Sequence, residues 1–236
     1  MCGRYALYGP LSGARRQFEI SLDEQEIIPR NAPNPFAWGE DRYNVAPSQL
    51  SPVIRTVGDH REIITARWGL LPHWVKEPGR LARPINAKVE TAAYKPMFRS
   101  AFRQSRVLIP ASGFYEWQPL RGGKQPYFIR PIGGETLFGF GGLLERWTGP
   151  EGEVRTFAIL TTAANDIMRP IHDRMPVIVQ PKDYAAWLDP HLTDADLVRE
   201  LADEFPPGLM RAHPVNRAIG NPRSQGPQLV EPAEDI

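Results

Sequence analysis

The sequence predicts an α+β domain, a mostly antiparallel and barrel-like sheet core with peripheral helices. Three observations predict it. Short apolar runs split by Gly and Pro follow one another through the chain's middle, as "RVLIP", "GFYEWQ", "QPYFIRP", "LFGFGGLL" and "RTFAILTT". They come in succession instead of alternating with helices, which argues against a doubly wound parallel sheet. A chain of 236 residues, 42% of them hydrophobic, can bury the core of one large domain or two small ones.

The elements read in order. "LSGARRQFEISL" is a short amphipathic helix with Ser12 as its cap. "IIPRNAPNPFAWGEDR", with Pro29, Pro33 and Pro35, is a loop. "SPVIRTV" and "REIITARWG" flank "GDH" as a β-hairpin. "VETAAYKPMFRSAFR" is helical, with Pro96 forcing a kink or a restart because proline lacks the N–H that a helix interior needs. The five middle strands follow, then "PVIVQ" as another. "PKDYAAWL" and "TDADLVRELADEF" are late helices, with Pro181 in a first turn and Thr193 as an N-cap. "PQLVEPAEDI" is a polar tail.

Composition narrows the function classes. No apolar run approaches the ~18 residues of a membrane span, and the N-terminus lacks a basic segment followed by an apolar one, so no signal peptide is expected. A lone cysteine cannot form an internal disulfide, which fits a cytoplasmic protein. The five His lack metal-ligand spacing, so neither metal nor cofactor is expected. Net charge is only +1, yet residues 80–130 hold ten Lys/Arg against two acids, and residues 181–205 hold seven acids against two bases. That asymmetry suits a basic face for a polyanion and an acidic back, or equally a solvated mixed surface.

The lone cysteine is Cys2. Removal of Met1 would place a thiol and an α-amine on adjacent carbons. The amine's reference pKa of about 7.7–8.0 leaves it partly unprotonated near neutrality, where a lysine at about 10.4 is not. Such an amine adds to an aldehyde as a Schiff base, and the neighbouring thiol can close on the imine carbon as a five-membered thiazolidine. Most free cysteines are instead small buried hydrophobes. Gly3 permits close approach of a substrate or strand.

Other polar residues stand where strands and turns present them. In "INAKVET", Asn86 and Lys88 share one face of an extended segment. In "GFYEW", Glu116 lies between Tyr115 and Trp117. Aromatic surroundings raise a carboxyl's pKa and suit it to general acid–base work, although an isolated strand Glu is more often exposed. "IHDRMPVI" sets His172, Asp173 and Arg174 before a strand; His172 is as readily a structural turn residue as an acid–base group or phosphate ligand. Trp68 reads as core. Trp74, after Pro72 and His73, reads as partly exposed and able to stack on a base.

The ordered set "MCGRY", "RYNVAP", "RWGLLPHW", "INAKVET", "GFYEW", "TTAAN", "IHDRMPVI" and "HPVNRAIGN" resembles the SRAP family, the SOS response-associated peptidase domain proteins. The resemblance runs from Cys2 to about residue 226, implying one domain over 2–226 with a polar tail over 227–236. It implies a monomer that binds single-stranded DNA and crosslinks to the aldehyde of an abasic site through a thiazolidine, shielding the lesion from cleavage and error-prone bypass. By the same resemblance Cys2 is the crosslinking residue, Asn86 orients the opened sugar, Glu116 assists Schiff-base formation and its reversal, and His172 contacts phosphate and aids proton transfer. Arg4, Thr161 and Arg174 resemble phosphate contacts, Pro47 and Trp74 elements that wedge or stack against bases, and Trp117 a residue shaping the same site. Two departures concern the DNA path. Lys88 stands where many relatives have Arg, and Val75 where some have a second Trp. The first exchanges a bidentate phosphate grip for a point charge.

Two rival functions stay open at this level. "MCG" also begins class II glutamine amidotransferases, though Arg4 replaces the apolar residue usual there. A non-catalytic single-strand-binding module would make Cys2 incidental.

Overall fold

The computed structural model describes residues 2–23, 41–77, 79, 82–133, 136–150 and 152–233. The loop read over residues 27–42 lies outside them except for Asp41 and Arg42, and Arg42 opens a strand. Fourteen strands are described, falling into two sheets.

The larger sheet closes on itself. The hairpin of β4 (Leu50–Val57) and β5 (His60–Trp68) turns at Gly58 and Asp59, as the sequence predicts. Strand β4 meets β7 (Arg106–Ala111), β7 meets β10 (Phe138–Gly149), and β10 pairs along its length with β11 (Gly152–Ala163), all antiparallel. The parallel pairing of β11 with β5, Thr156 opposite Arg67 and Phe157 opposite Trp68, completes a five-stranded barrel. The expected barrel-like, mostly antiparallel core is therefore observed. Strand β10 runs between the barrel interior and an outer helix, and its glycines make room on both faces. A Cβ at Gly142 would stand 2.2 Å from Ile109 Cδ1, and one at Gly141 would stand 2.7 Å from the Trp187 ring.

The second sheet is antiparallel. In it β1 (Tyr5–Leu7) lies between β3 (Arg42–Val45) and β8 (Gly113–Leu120), followed by β9 (Gly123–Pro131) and β14 (Met210–Pro214). It covers a small satellite core of Ala6, Tyr115, Phe128, Val215, Ile219 and Leu229, while the main core fills the barrel. Two further pieces extend β11. Strand β6 (Asn86–Lys88) runs parallel to it and β12 (Arg174–Pro176) antiparallel, and both pair with Thr161, so they flank β11 on opposite edges. Strand β2 (Leu22–Asp23) adds to β5, and β13 (Ile178–Val179) to β10.

The helices are short. Helix α1 (Leu11–Gln17) is preceded by Pro10 in extended conformation with no side-chain cap. The capping role expected of Ser12 is thus not filled, because Ser12 lies inside the first turn. Pro96 does interrupt the next helical stretch, separating α2 (Val89–Ala92) from α3 (Arg99–Gln104). Pro181 opens a 3₁₀ turn leading into α4 (Tyr184–Leu188). Helix α5 (Ala195–Glu200) is capped by Asp194, not Thr193; its Oδ1 accepts from Asp196 N at 2.8 Å and Leu197 N at 3.2 Å. The stretch "PVIVQ" is split between β12 and β13, since Val177 bonds both Leu160 and Gly141 across the junction. Past residue 227 the chain packs back: Leu229 is buried and Ala233 N donates to Pro214 O at 2.9 Å.

Candidate active site

The site forms where the chain's start meets the first half and middle of β8. Tyr115 N donates to Arg4 O at 3.0 Å, and the register pairs Tyr5 with Phe114. Continuing that register sets Cys2 and Gly3 beside Glu116 and Trp117. From the other side β6 brings Asn86, whose Nδ2 donates to Cys2 O at 2.8 Å. The position of Asn86 is fixed by its pairing with Ile159. Among the described residues its buried Oδ1 has no hydrogen-bond partner.

Burial governs the electrostatics. Cys2 is 0% exposed and Glu116 3%. Burial pushes the Cys2 thiol well above its usual range, and the charge of nearby Glu116 pushes it further. Burial likewise raises the Glu116 carboxyl, with the charge of His172 pulling in part the other way. Cys2, Glu116 and His172 are therefore electrically coupled neighbours, and Asn86 is bonded to the first of them. His172 is half-buried, and its Nδ1 lies 3.0 Å from Arg174 N and 2.8 Å from Asp173 Oδ1. A neutral ring accepts from Arg174 N at that nitrogen and carries its proton on Nε2; a protonated ring donates from Nδ1 to Asp173.

The remaining predicted positions spread around this group. Thr161 is buried, with Oγ1 donating to Ala87 O at 3.5 Å, and exposed Lys88 stands opposite it in the β6–β11 register. Arg174 is bound to Glu90 and Thr161 O. Arg4 is a brace, its Nη1 donating to Asn44 Oδ1 at 2.9 Å and Ile219 O at 3.2 Å. Half-buried Trp117 packs on the satellite core, and half-buried Pro47 precedes Ser48, whose φ is +69°. Trp68 is buried, as expected of a core residue, and Trp74 is 51% exposed. Among the described residues no hydrogen bond or ion pair links Pro47, Trp74 or Trp117 to the Cys2 group.

Three supporting residues escape sequence reasoning. Buried Glu145 accepts from His73 N at 3.3 Å and pairs with its Nδ1 at 3.0 Å, which holds the turn carrying Trp74. Asn44 ties Arg4 to the segment over 219–224 by donating to Ile219 O, Asn221 O and Ser224 O. Glu90 engages Arg174. Each partner is distant in sequence, so no local spacing points to it. No cluster of three metal-ligating side chains occurs among the described residues, and none of their helices is long and apolar enough to cross a membrane.

The family model for SOS response associated peptidase (SRAP) matches residues 1–222. The chain belongs to the SRAP family. Among SRAP relatives, "Abasic site processing protein YoqW" of Bacillus subtilis is 36% identical over 233 residues, 98% of this chain and 99% of its own. "Abasic site processing protein YedK" of Escherichia coli is 33% identical over 237 residues, 98% of this chain and 100% of its own. A crystal structure of a protein from Bacteroides thetaiotaomicron has a TM-score of 0.81 at 26% identity, covering 98% of this chain and 100% of that one. The SRAP resemblance read from the ordered motifs is thus met in sequence and in fold.

Proposed function

We propose that this SRAP protein senses abasic sites in single-stranded DNA and bonds covalently to them through Cys2, acting as a monomer. The observation that carries the reading is the arrangement at Cys2. Its carbonyl is held by Asn86, and the β1–β8 register sets Cys2 next to Glu116 on its strand; burial, and then the charge of the buried Glu116 carboxyl, raise the thiol's pKa. The names of its relatives, abasic site processing proteins, agree with this reading.

The chemistry balances with the groups present. Release of residue 1 frees the α-amine. Its nitrogen attacks the aldehyde carbon of the ring-opened sugar to give a carbinolamine. Glu116, kept protonated to higher pH than an ordinary glutamate, gives its proton to the departing hydroxyl, which leaves as water. The Cys2 sulfur then adds to the imine carbon, and its proton returns through the Glu116 carboxylate to the nitrogen. One water is released and nothing is oxidised. Adding water reverses each step, so one group serves formation and release. The unpartnered Asn86 Oδ1 is an acceptor for a sugar hydroxyl, since a buried acceptor left unpaired costs ~1–3 kcal/mol.

A labelled single strand with one abasic site, run on a denaturing gel, tests the reading. A shifted band that survives heat in denaturant is expected, with intact mass showing loss of Met1. Ammonia release from glutamine without a shifted band would favour an amidotransferase. A salt-sensitive complex alone would leave a binding module.

A further inference from the structure

The strands that carry Cys2 and Asn86 are joined through one buried indole. Thr156 on β11 pairs with both Glu145 and Arg67, and Ile159 with both Gly142 and Asn86. Strands β5 and β6 therefore lie along the same edge of β11, away from β10. Strand β5 leaves that edge after Trp68, and the three-residue β6 takes it up at Asn86. The two ends are tied together. Leu70 N donates to Pro84 O at 3.0 Å, and Trp68 Nε1 donates to Ile85 O at 2.9 Å. Gly69 between them has a φ of +127°, a turn that glycine makes without strain. Ile85 O also accepts from Ile159 N at 3.0 Å, so the carbonyl just before Asn86 is fixed to β11 and to Trp68 at once. The Trp68 ring packs on Tyr5 with centroids 5.3 Å apart, and it stacks on Phe157 at 6.2 Å. Tyr5 stands three residues after Cys2. It is pinned by its pairing with Phe114 and Val45 and by a hydrogen bond with Ser51.

A rigid ring that touches both strands sets the spacing between them. Asn86 has to hold Cys2 O at 2.8 Å and keep its Oδ1, unpaired among the described residues, aimed at a sugar hydroxyl. Its ladder with β11 spans only three residue pairs, so its aim leans on the bonds at the entry of β6. We infer that Trp68 is a positioning residue for crosslinking: its indole N–H, acting through Ile85 O, holds Asn86 where it meets Cys2. The inference rests on the role given to Asn86 above and adds the group that sets it. Rate and stability can be separated here. Without the indole N–H, Ile85 O keeps its bond from Ile159 N, so no buried acceptor is orphaned and the fold should persist. The rate is more sensitive, because a misplacement of about 1 Å near the reacting atoms can cost ~10²-fold.

Trp68→Phe removes the N–H but also shrinks the ring. Site-specific replacement of Trp68 by benzothienylalanine, with sulfur in place of the N–H, removes the donor at nearly constant shape and decides the matter if Trp68→Phe folds poorly. Each protein is measured by single-turnover crosslinking at saturating abasic single strand, by affinity for an unmodified strand and by Tm. The benzothienylalanine protein should crosslink ~10- to 100-fold more slowly than wild type, with unchanged affinity for the unmodified strand. The side-chain amide signal of Asn86 in a nitrogen–proton NMR spectrum, assigned by its loss in Asn86→Ala, should move. Asn86→Ala should slow the reaction by itself, and in that background replacing Trp68 should cost nothing further, since both changes remove one interaction. A wild-type rate in the benzothienylalanine protein, an unmoved Asn86 signal, or losses that multiply in the double variant would each overturn the inference and leave the Cys2 reading standing. Full-rate crosslinking by Asn86→Ala would remove the role of Asn86 and this inference together. If wild type forms no crosslink, the proposed function falls and the inference with it.

Discussion

Arg174 grips Glu90 with both terminal nitrogens, Nη2 standing 2.8 Å from Oε2 and Nη1 2.5 Å from Oε1, while Nη2 also donates to Thr161 O at 2.7 Å. The clamp joins α2 to β12, which follow or form the two strands flanking β11. It also bears on His172, because the backbone N–H of the same Arg174 donates to Nδ1. A DNA phosphate reaching Arg174 must therefore compete with Glu90.

Glu90→Gln should release that competition. Affinity for single strands should rise, and the log–log salt slope should steepen by up to ~0.7 as Arg174 becomes free to pair with phosphate. Because Glu90 is 48% exposed, the cost in stability should be small, about 1 kcal/mol or less. Hydrogen bonding to Arg174 lowers the Glu90 carboxyl below its ordinary value. The clamp's contribution is thus complete above the ordinary Glu range near pH 4.3 and fades as pH falls through the lowered value. Thermal melts of wild type and variant should converge on acidification. A slope identical to wild type would leave Arg174 as a brace only.

Cys2→Ser keeps the α-amine and replaces the thiol by a much weaker ring-closing nucleophile. Binding to abasic single strands should persist. Any adduct should be an imine, lost on heating unless it is first trapped with a hydride reductant. A heat-stable band at wild-type yield without reductant would rule out the thiazolidine.

Glu116→Gln preserves shape and removes proton transfer. Crosslink formation and reversal should both slow by ~10²–10⁴-fold with little change in binding. The pH profile sharpens the test. Burial raises the Glu116 carboxyl, so wild type should keep the acid-assisted water loss to higher pH than an ordinary glutamate allows, then lose it as pH rises through that raised value. The variant should lack that inflection. Normal crosslinking at saturating DNA with weakened affinity would make Glu116 structural.

Much of this architecture is legible in the chain, and the exceptions share a cause. The β4–β5 hairpin and the break at Pro96 follow from local pattern. The burial of Glu116 does not, because an isolated strand Glu is more often exposed and it is the chain's start, packed beside β8, that covers it. The parallel β5–β11 pairing that closes the barrel joins strands about ninety residues apart and carries no local signal. Helix caps shift by one or two residues from their expected places: Asp194 outcompetes Thr193 because its carboxylate reaches two backbone N–H groups. The positive charge of residues 80–130 includes Arg106 with Arg99 and Arg103, although one is buried under α4 and the other two face solvent. Counting charge cannot tell a brace from a binding face, and Arg4 and Arg174 raise the same difficulty. Their guanidiniums are occupied by Asn44 and Glu90, partners at 40 and 84 residues' distance.

Lys88 is exposed at the end of β6, opposite Thr161. If it touches the DNA path, Lys88→Ala should lower the salt slope by ~0.7 and weaken all base sequences alike. Lys88→Arg should bind at least as well, since guanidinium can grip phosphate with two bonds. Titrations at several salt concentrations decide it; an unchanged slope in the Ala variant would place Lys88 off the path.

The position of the lone cysteine gives the last test. A five-membered ring needs the amine and the thiol on adjacent carbons of one residue. A variant with one Gly inserted between Met1 and Cys2 should lose Met1 and expose the Gly amine instead. It keeps the thiol but moves the amine one residue away, so the ring cannot close. Chain ends usually accept added residues, and the bonds of Arg4 with Tyr115, Asn44 and Ile219 begin two residues downstream of Cys2. Fold and noncovalent affinity should therefore survive, read by melting temperature and by binding to an unmodified single strand. At matched saturation on a denaturing gel, only wild type should give the shifted band with abasic DNA. An equally strong, heat-stable band from the insertion variant would mean that a thiol alone or a lysine makes the bond, and the thiazolidine mechanism would fall.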